Sequence, residues 1–284
     1  LDYEAPAVIE DSQPKSNWPS EGTIEFIDYS MRYRPELDIV LDGLSFSVRK
    51  HEKIGIVGRT GAGKSSITYA LMRLVEAESG CIKIDGVDIS SIGLYDLRSK
   101  ITIIPQDPVL FEGTIRDNLD PEQKYTDEEV WDAINACQIN DLVDNPECES
   151  TDDEDDKPRA KGTGLDKWIK PGSETFSVGQ AQLVSLCRAL LWKSKIIVLD
   201  EATANVDSKT DKIIQEVIRE RFTDCTVLTI AHRLNTIMDS DRILVLDHGH
   251  VKEFDSPSNL LADRNSQFSR LVESMKLSQA TLNK

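Results

Sequence analysis

The stretch GIVGRTGAGKSS, residues 55–66, constrains the fold of this chain more than any other segment. It directly follows an apolar strand pattern and leads into the apolar spacing of a helix. Its spacing, Gly58-x-x-x-x-Gly63-Lys64-Ser65, is typical of a phosphate-binding loop. Glycines let backbone amides wrap an anion, and the helix N-terminus adds favourable partial charge. A glycine-rich turn that binds nothing is the alternative, but the flanking strand and helix favour a phosphate site.

Strand and helix patterns alternate along much of the chain. Several strands are wholly apolar, which is typical of buried parallel strands. The alternation predicts an α/β fold, here a P-loop NTPase with a mostly parallel sheet core. Strand patterns lie at 23–33, 44–48, 53–58, 101–105, 196–200, 226–231 and 242–247, and helix patterns at 64–75, 127–137, 178–192 and 208–221.

A P-loop enzyme also needs a carboxylate for its metal ion. The segment KSKIIVLDEATA is a buried strand pattern that ends at Asp200 and is followed at once by Glu201. Asp200 would bind Mg²⁺ partly through water, and Glu201 could orient and deprotonate an attacking water. An isolated strand ending in Asp-Glu usually just faces solvent. The P-loop earlier in the chain makes the metal-binding interpretation the better one.

Charge and composition exclude several classes of protein. The formal net charge is −17, and ECESTDDEDD (147–156) alone carries seven acidic residues. Because nucleic-acid binding favours a basic face and no Lys/Arg cluster provides one, DNA and RNA are not expected as partners. No apolar run approaches the length of a membrane span. Five scattered cysteines without a C-x-x-C pair predict reduced thiols. The chain does not begin with Met, and we expect it to be a piece of a longer protein.

Four motifs together resemble one protein family. The P-loop, FSVGQ, IIVLDEA and TIAHR, in this order and spacing, resemble the nucleotide-binding domain of ABC transporters. RYRPELDIVLDGLSF, GRTGAGKSS and FSVGQ resemble the second such domain of subfamily C, the multidrug-resistance-associated type, including fungal exporters. The resemblance implies an ABC ATPase with an antiparallel β subdomain and an α-helical signature subdomain. The implied organisation is a linker from a preceding membrane domain (1–21), the domain itself (22–276, with its helical part at about 107–192) and a tail (277–284).

The resemblance also assigns roles around ATP and Mg²⁺. Tyr33 corresponds to the aromatic residue that stacks on adenine, although a strand tyrosine such as nearby Tyr29 usually packs in the core. Gln106 corresponds to the Q-loop glutamine beside Mg²⁺. The implied nucleotide-binding set is Tyr33, Gly58, Arg59, Thr60, Gly61, Ala62, Gly63, Lys64, Ser65, Ser66 and Gln106; the metal set is Ser65, Gln106 and Asp200; the catalytic set is Lys64, Glu201 and His232.

In this family two domains pair head to tail, and each completes the other's ATP site with its signature. Here the signature is Phe176, Ser177, Val178, Gly179 and Gln180, and the D-loop is Asn205, Val206 and Asp207. The usual signature reads Leu-Ser-Gly-Gly-Gln. Because Val178 puts a branched Cβ where backbone should approach phosphate, we expect the site that this signature completes to be weakened.

The acidic run is most simply a solvated loop. Ser150 and Thr151 each have an acidic residue three positions further on, a pattern that resembles the target of an acid-directed kinase. Phosphorylation there would add charge close to the pairing interface.

The sequence therefore predicts an ATP-hydrolysing domain of an ABC exporter on the cytoplasmic face of a plasma or vacuole-type membrane. Its expected partners are a second nucleotide-binding domain and the transmembrane domains, through which alone it meets the membrane; isolated, it should be monomeric or weakly dimerising. One alternative is a regulatory ATP-binding module that gates a channel with little turnover. Another is a soluble ABC-type ATPase of DNA repair or translation, which the acidic balance and the missing coiled coil disfavour.

Overall fold

A computed structural model describes residues 4–144, 164–169, 176–200, 202, 206–231 and 234–282. The chain divides into two compact units. Unit 1 comprises residues 1–103, 194–201 and 222–284, and unit 2 comprises residues 104–193 and 202–221. The strands are β1 (Ile24–Met31), β2 (Leu41–Val48), β3 (Lys53–Gly58), β4 (Ser79–Ile84), β5 (Val87–Asp88), β6 (Ile101–Ile104), β7 (Gly113–Thr114), β8 (Trp168–Ile169), β9 (Ile196–Asp200), β10 (Thr226–Ile230), β11 (Arg242–Asp247) and β12 (His250–Asp255).

The helices begin with the one that follows the P-loop. They are α1 (Lys64–Leu71), α2 (Leu94–Arg98), α3 (Ile115–Leu119), α4 (Asp127–Ala136), α5 (Asn140–Asp144), α6 (Val178–Trp192), α7 (Ser208–Arg221), α8 (Leu234–Met238), α9 (Pro257–Ala262) and α10 (Gln267–Leu282). None of the helices in the described part of the chain has the length and apolar character needed to cross a membrane.

A six-stranded sheet forms the core of unit 1, with the strand order β12-β11-β3-β10-β9-β6. Strands β3, β9, β10 and β11 pair in parallel, and β12 joins the edge antiparallel to β11. The interior of β9 and of β11 is buried, as expected for strands covered on both faces. The α/β prediction with a mostly parallel sheet is confirmed.

A second sheet of unit 1 is antiparallel and has the order β2-β1-β4-β5. Its inward side chains include Phe26 and Phe46, whose rings stack at 4.5 Å, and Tyr29, which meets Phe26 edge to face at 5.6 Å. Tyr29 is 3% exposed, and its burial raises the pKa of the phenol. Tyr29 is therefore a core residue of the predicted antiparallel β subdomain.

The segment before β1 packs closely against the rest of unit 1, although its role as a linker stays a prediction. Trp18 is buried, and its Nε1 donates to the Ile84 carbonyl at 2.9 Å. The carbonyls of Pro6 and Ala7 accept hydrogen bonds from the first two amides of α2. A side chain at Gly93 would place its Cβ 2.3 Å from the Ala7 carbonyl oxygen. Only glycine therefore fits beneath this segment, which we call the N-terminal strap (residues 4–19).

One buried ion pair of unit 1 joins β11 to the turn that precedes β3. Arg242 on β11 donates from Nε and Nη2 to the two carboxylate oxygens of Glu52, at 2.6 and 2.7 Å. The guanidinium also lies 3.9 Å from the centre of the Phe254 ring and donates to the Ser47 carbonyl. The Glu52 residue is 8% exposed. The two parallel hydrogen bonds are the bidentate arrangement that a planar guanidinium makes with a carboxylate, here directly before β3.

Unit 2 is mainly helical and is built around α6, which contacts α3, α4 and α7. Strands β7 and β8 form a small antiparallel pair. Most of α6 is buried, because apolar residues occur around nearly its whole circumference. Arg188 of α6 donates to the carbonyls of Val109 and Asn118 and lies over the Phe111 ring. The helix thus fixes the chain segment that precedes α3.

Candidate nucleotide-binding site

The P-loop connects β3 to α1 as the sequence predicts. The helix cap is Gly63, in the left-handed region with φ of 99°, and it provides no side chain to cap the helix. The first amides of α1 therefore have no serine or aspartate competing with an incoming anion. Across the loop, Arg59, Thr60 and Gly61 are exposed, Gly58 and Ser65 are half-buried, and Ala62, Gly63, Lys64 and Ser66 are buried.

Lys64 lies back across this loop. Its Nζ donates to the carbonyls of Gly58 and Arg59, at 3.0 and 3.2 Å. The residue is 7% exposed, so its charge is held next to the backbone of the loop itself. An ammonium at this place can donate to phosphate oxygens bound in the same loop, as the P-loop interpretation requires.

The sheet register brings Asp200 to the same edge as the P-loop. Asp200, the last residue of β9, pairs with Ile230 of β10, and Ile230 pairs with Ile56 of β3. All three strands are parallel, so their carboxyl ends lie side by side. The half-buried Asp200 carboxylate thus lies two strands from the P-loop at the edge where α/β sheets bind ligands. Ser65 and Asp200 offer the oxygen ligands that Mg²⁺ prefers.

Tyr33 has the exposure expected of a residue that stacks on a base. It is 40% exposed, in contrast to the buried Tyr29. Its hydroxyl and the Ser66 hydroxyl are 2.8 Å apart, in a hydrogen bond that either group can donate. Tyr33 is therefore connected directly to the helix that begins at Lys64.

The signature begins α6 with its polar groups already paired. Ser177 is the N-cap; its Oγ accepts from the Gln180 amide at 3.2 Å, and the Gln180 Oε1 accepts from the Ser177 amide at 2.9 Å. This reciprocal capping box leaves the Val178 and Gly179 amides at the open end of the helix. Phe176 is half-buried, and Val178 is 46% exposed.

Gly179 has a packing role that the sequence did not reveal. It is buried, and an added Cβ would lie 3.1 Å from Thr210, 3.2 Å from Val206 and 3.3 Å from Asp207. Asp207 in turn accepts hydrogen bonds from the Thr210 hydroxyl and from the Thr210 and Lys209 amides, and these bonds lower the pKa of its carboxyl. The glycine lets the D-loop residues approach the signature helix, in addition to any role toward an anion.

The Q-loop is held by the signature helix through Gln182. The Nε2 group of this side chain donates to the carbonyls of Pro105 and Gln106, each at 2.8 Å, and the residue is 1% exposed. The Gln106 side chain is exposed. Within unit 2, the helix α6 therefore begins at the signature and also holds the backbone of the Q-loop in place.

Three predicted site residues, Glu201, His232 and Asn205, lie outside the described residues. The acidic run 147–156 also lies outside them. In the part of the chain that the structure describes, no group of three or more His, Cys, Asp or Glu side chains is arranged to hold a metal ion.

A family model described as "ABC transporter" matches residues 41–204, more than half of the chain. The chain belongs to the ABC transporter family. The match spans the P-loop, the Q-loop, the signature and the strand that ends at Asp200. The fold and the family predicted from the sequence are both confirmed.

Relatives of this ABC domain include proteins of subfamily C. It is 54% identical over 94% of its length to Metal resistance protein YCF1 of Saccharomyces cerevisiae, and 55% identical over 92% of its length to human ATP-binding cassette sub-family C member 3. The chain spans 17% and 16% of those two proteins. A bacterial Atm1-family ABC exporter with ATP bound is similar in structure, with a TM-score of 0.80 and 31% identity over 95% of this chain and 44% of that one.

Sequence reasoning missed several residues that organise the ABC domain. In the sequence, little distinguishes Gln182 and Arg188 from the other residues of α6, or Tyr69 from the other residues of α1. A long polar side chain within the apolar run of α6 was the one available signal, because buried polar groups need partners. The partners themselves, around residues 105–118, lie far away in sequence.

Proposed function

We propose that this ABC domain binds and hydrolyses MgATP and thereby drives transport by a subfamily C exporter, as its second nucleotide-binding domain. The observation that supports this best is the sheet register that aligns the P-loop, the end of β10 and Asp200 along one edge. The chain also carries a capped signature helix, which would serve the ATP bound by a partner domain. The transmembrane domains of the same exporter would hold it at the cytoplasmic face of a plasma or vacuole-type membrane.

Binding of ATP and Mg²⁺ and activation of water would be carried out by different residues of the chain. The loop amides and Lys64 bind phosphate oxygens, while Ser65, Asp200 and Gln106 hold Mg²⁺, partly through water. Tyr33 stacks on the adenine. Glu201 orients and deprotonates the attacking water, and His232 stabilises charge at the γ-phosphate. When bound, Mg²⁺ would neutralise part of the negative charge of the phosphates.

ATP hydrolysis by the chain alone, and after mixing with a candidate partner domain, tests this function. We expect turnover to rise on mixing, because each site is completed by the other domain's signature. Lys64→Ala should weaken MgATP binding at least about tenfold, since a charge-assisted contact to phosphate is lost. Tight MgATP binding with no turnover in either arrangement would instead favour the regulatory module that gates a channel.

Restoring the usual glycine at position 178 is a separate test of the weakened signature. Val178 is exposed at the first turn of α6, so Val178→Gly removes the whole isopropyl side chain without opening a core cavity. In an assembled transporter we expect higher turnover at the site on the partner's P-loop and no change at this domain's own P-loop. Single-site turnover can be measured with the other P-loop lysine substituted. Unchanged turnover at the partner's P-loop would contradict the weakened-signature hypothesis.

A further inference from the structure

The tyrosine that would stack on adenine is held on two sides by α1. The first contact is the hydrogen bond between the Tyr33 hydroxyl and Ser66. The second is with Tyr69, whose ring centre lies 6.1 Å from that of Tyr33, at an interplanar angle of 74°. Edge-to-face contacts at this distance are favourable, because the positive edge of one ring meets the negative face of the other.

Both contacts come from one face of the helix that carries the P-loop lysine. Ser66 and Tyr69 are three residues apart on α1, so their side chains are neighbours on its surface. Ser66 is 5% exposed and provides a fixed anchor, whereas Tyr69 is 40% exposed. Tyr69 is therefore only partly buried, and its ring lies edge to face with that of Tyr33.

We propose that Tyr69 is a positioning residue for purine recognition, holding the Tyr33 ring at a set distance and angle from the phosphate loop. The inference rests on the proposed function, since it takes Tyr33 as the base-stacking residue. Tyr69 acts through Tyr33 and does not itself bind phosphate. The helix α1 carries Lys64 and Ser65 of the phosphate site as well as Ser66 and Tyr69, which contact Tyr33. A shift of this helix would therefore move the Tyr33 ring and the phosphate site together.

A base-dependent binding measurement tests this role. The Kd for MgATP and for magnesium tripolyphosphate, which has the phosphates without a base, would be measured for the wild-type chain and for Tyr69→Leu. We expect Tyr69→Leu to weaken MgATP binding about two- to tenfold, the range of an aromatic pair contact, and to leave tripolyphosphate binding unchanged. Tyr69→Phe keeps the ring and should bind MgATP like the wild type.

Tyr95 provides a matched control, because it is a 63% exposed tyrosine on α2. Tyr95→Leu should change neither affinity. Equal losses for MgATP and tripolyphosphate in Tyr69→Leu would show a purely structural role and overturn the inference. Unchanged MgATP affinity in Tyr69→Leu would overturn it as well, while leaving the proposed function intact. Failure of the wild-type chain to bind MgATP would remove the proposed function itself, and this inference with it.

Discussion

Glu201→Gln should leave MgATP binding within about twofold of the wild type and lower turnover at least about a hundredfold, as expected for loss of a general base. Glu201 directly follows Asp200, the last residue of β9, in the sequence. Glutamine keeps the shape of the side chain but cannot take a proton from water. The measurement is single-turnover hydrolysis, with nucleotide affinity measured separately.

Glu216→Gln is the matched control for this variant, since Glu216 is exposed on α7. It should hydrolyse ATP like the wild type. Robust turnover by Glu201→Gln would remove Glu201 as the base and leave water activation to another group.

Glu52→Gln should destabilise unit 1 by about 2–3 kcal/mol. Removing one member of a buried ion pair usually costs somewhat more, because the remaining charge is left without compensation. Here Arg242 keeps its hydrogen bond to Ser47 and its contact with Phe254, and its side chain is 19% exposed, so water can compensate in part. Urea unfolding, followed by a signal specific to unit 1, measures the change.

The same carboxylate predicts a pH dependence. Burial alone would raise the pKa of Glu52, but hydrogen bonds from Arg242 and the Arg49 amide lower the pKa below its ordinary value. The stabilisation is therefore present above the unfolded-state pKa of about 4.3 and is lost as pH falls through the lower folded-state pKa. Wild-type stability should fall more steeply below about pH 4 than that of Glu52→Gln.

The exposed pair between Lys50 and Glu21 offers the comparison for both experiments. Glu21→Gln should change neither the stability nor its pH dependence measurably, because such pairs are screened by solvent. A Glu52→Gln variant as stable as Glu21→Gln would show that the buried pair contributes nothing. The double change of Glu52→Gln with Arg242→Met should recover part of the loss, since no charge is then left without a partner.

The sequence predicted the elements with strong periodicity. Strands β3, β9 and β11 and helices α6 and α7 have the bounds that their patterns indicated, because each is a continuous apolar run or a strongly amphipathic segment. The patterns for β4 and β12 were not recognised. Glycine interrupts the first, and the second is a sheet edge in which no residue is fully buried.

The candidate site could be predicted wherever its residues are adjacent in sequence. The P-loop and the strand that ends at Asp200 are local patterns, so spacing alone locates them. The contacts of Tyr33 with Tyr69, and of Gln182 with Gln106, join residues 36 and 76 positions apart and depend on tertiary packing. No local pattern distinguishes such residues from their neighbours, and the roles given to the individual site residues stay predictions.

The N-terminal strap has an evolutionary consequence. While the Ala7 carbonyl lies over Gly93, any side chain at position 93 would push the strap away from α2. The strap also brings Trp18 into the core. A lineage that loses this glycine is therefore expected to lose the strap or to replace the tryptophan. Across related chains, Gly93, Trp18 and the strap should therefore be kept or lost together rather than one at a time.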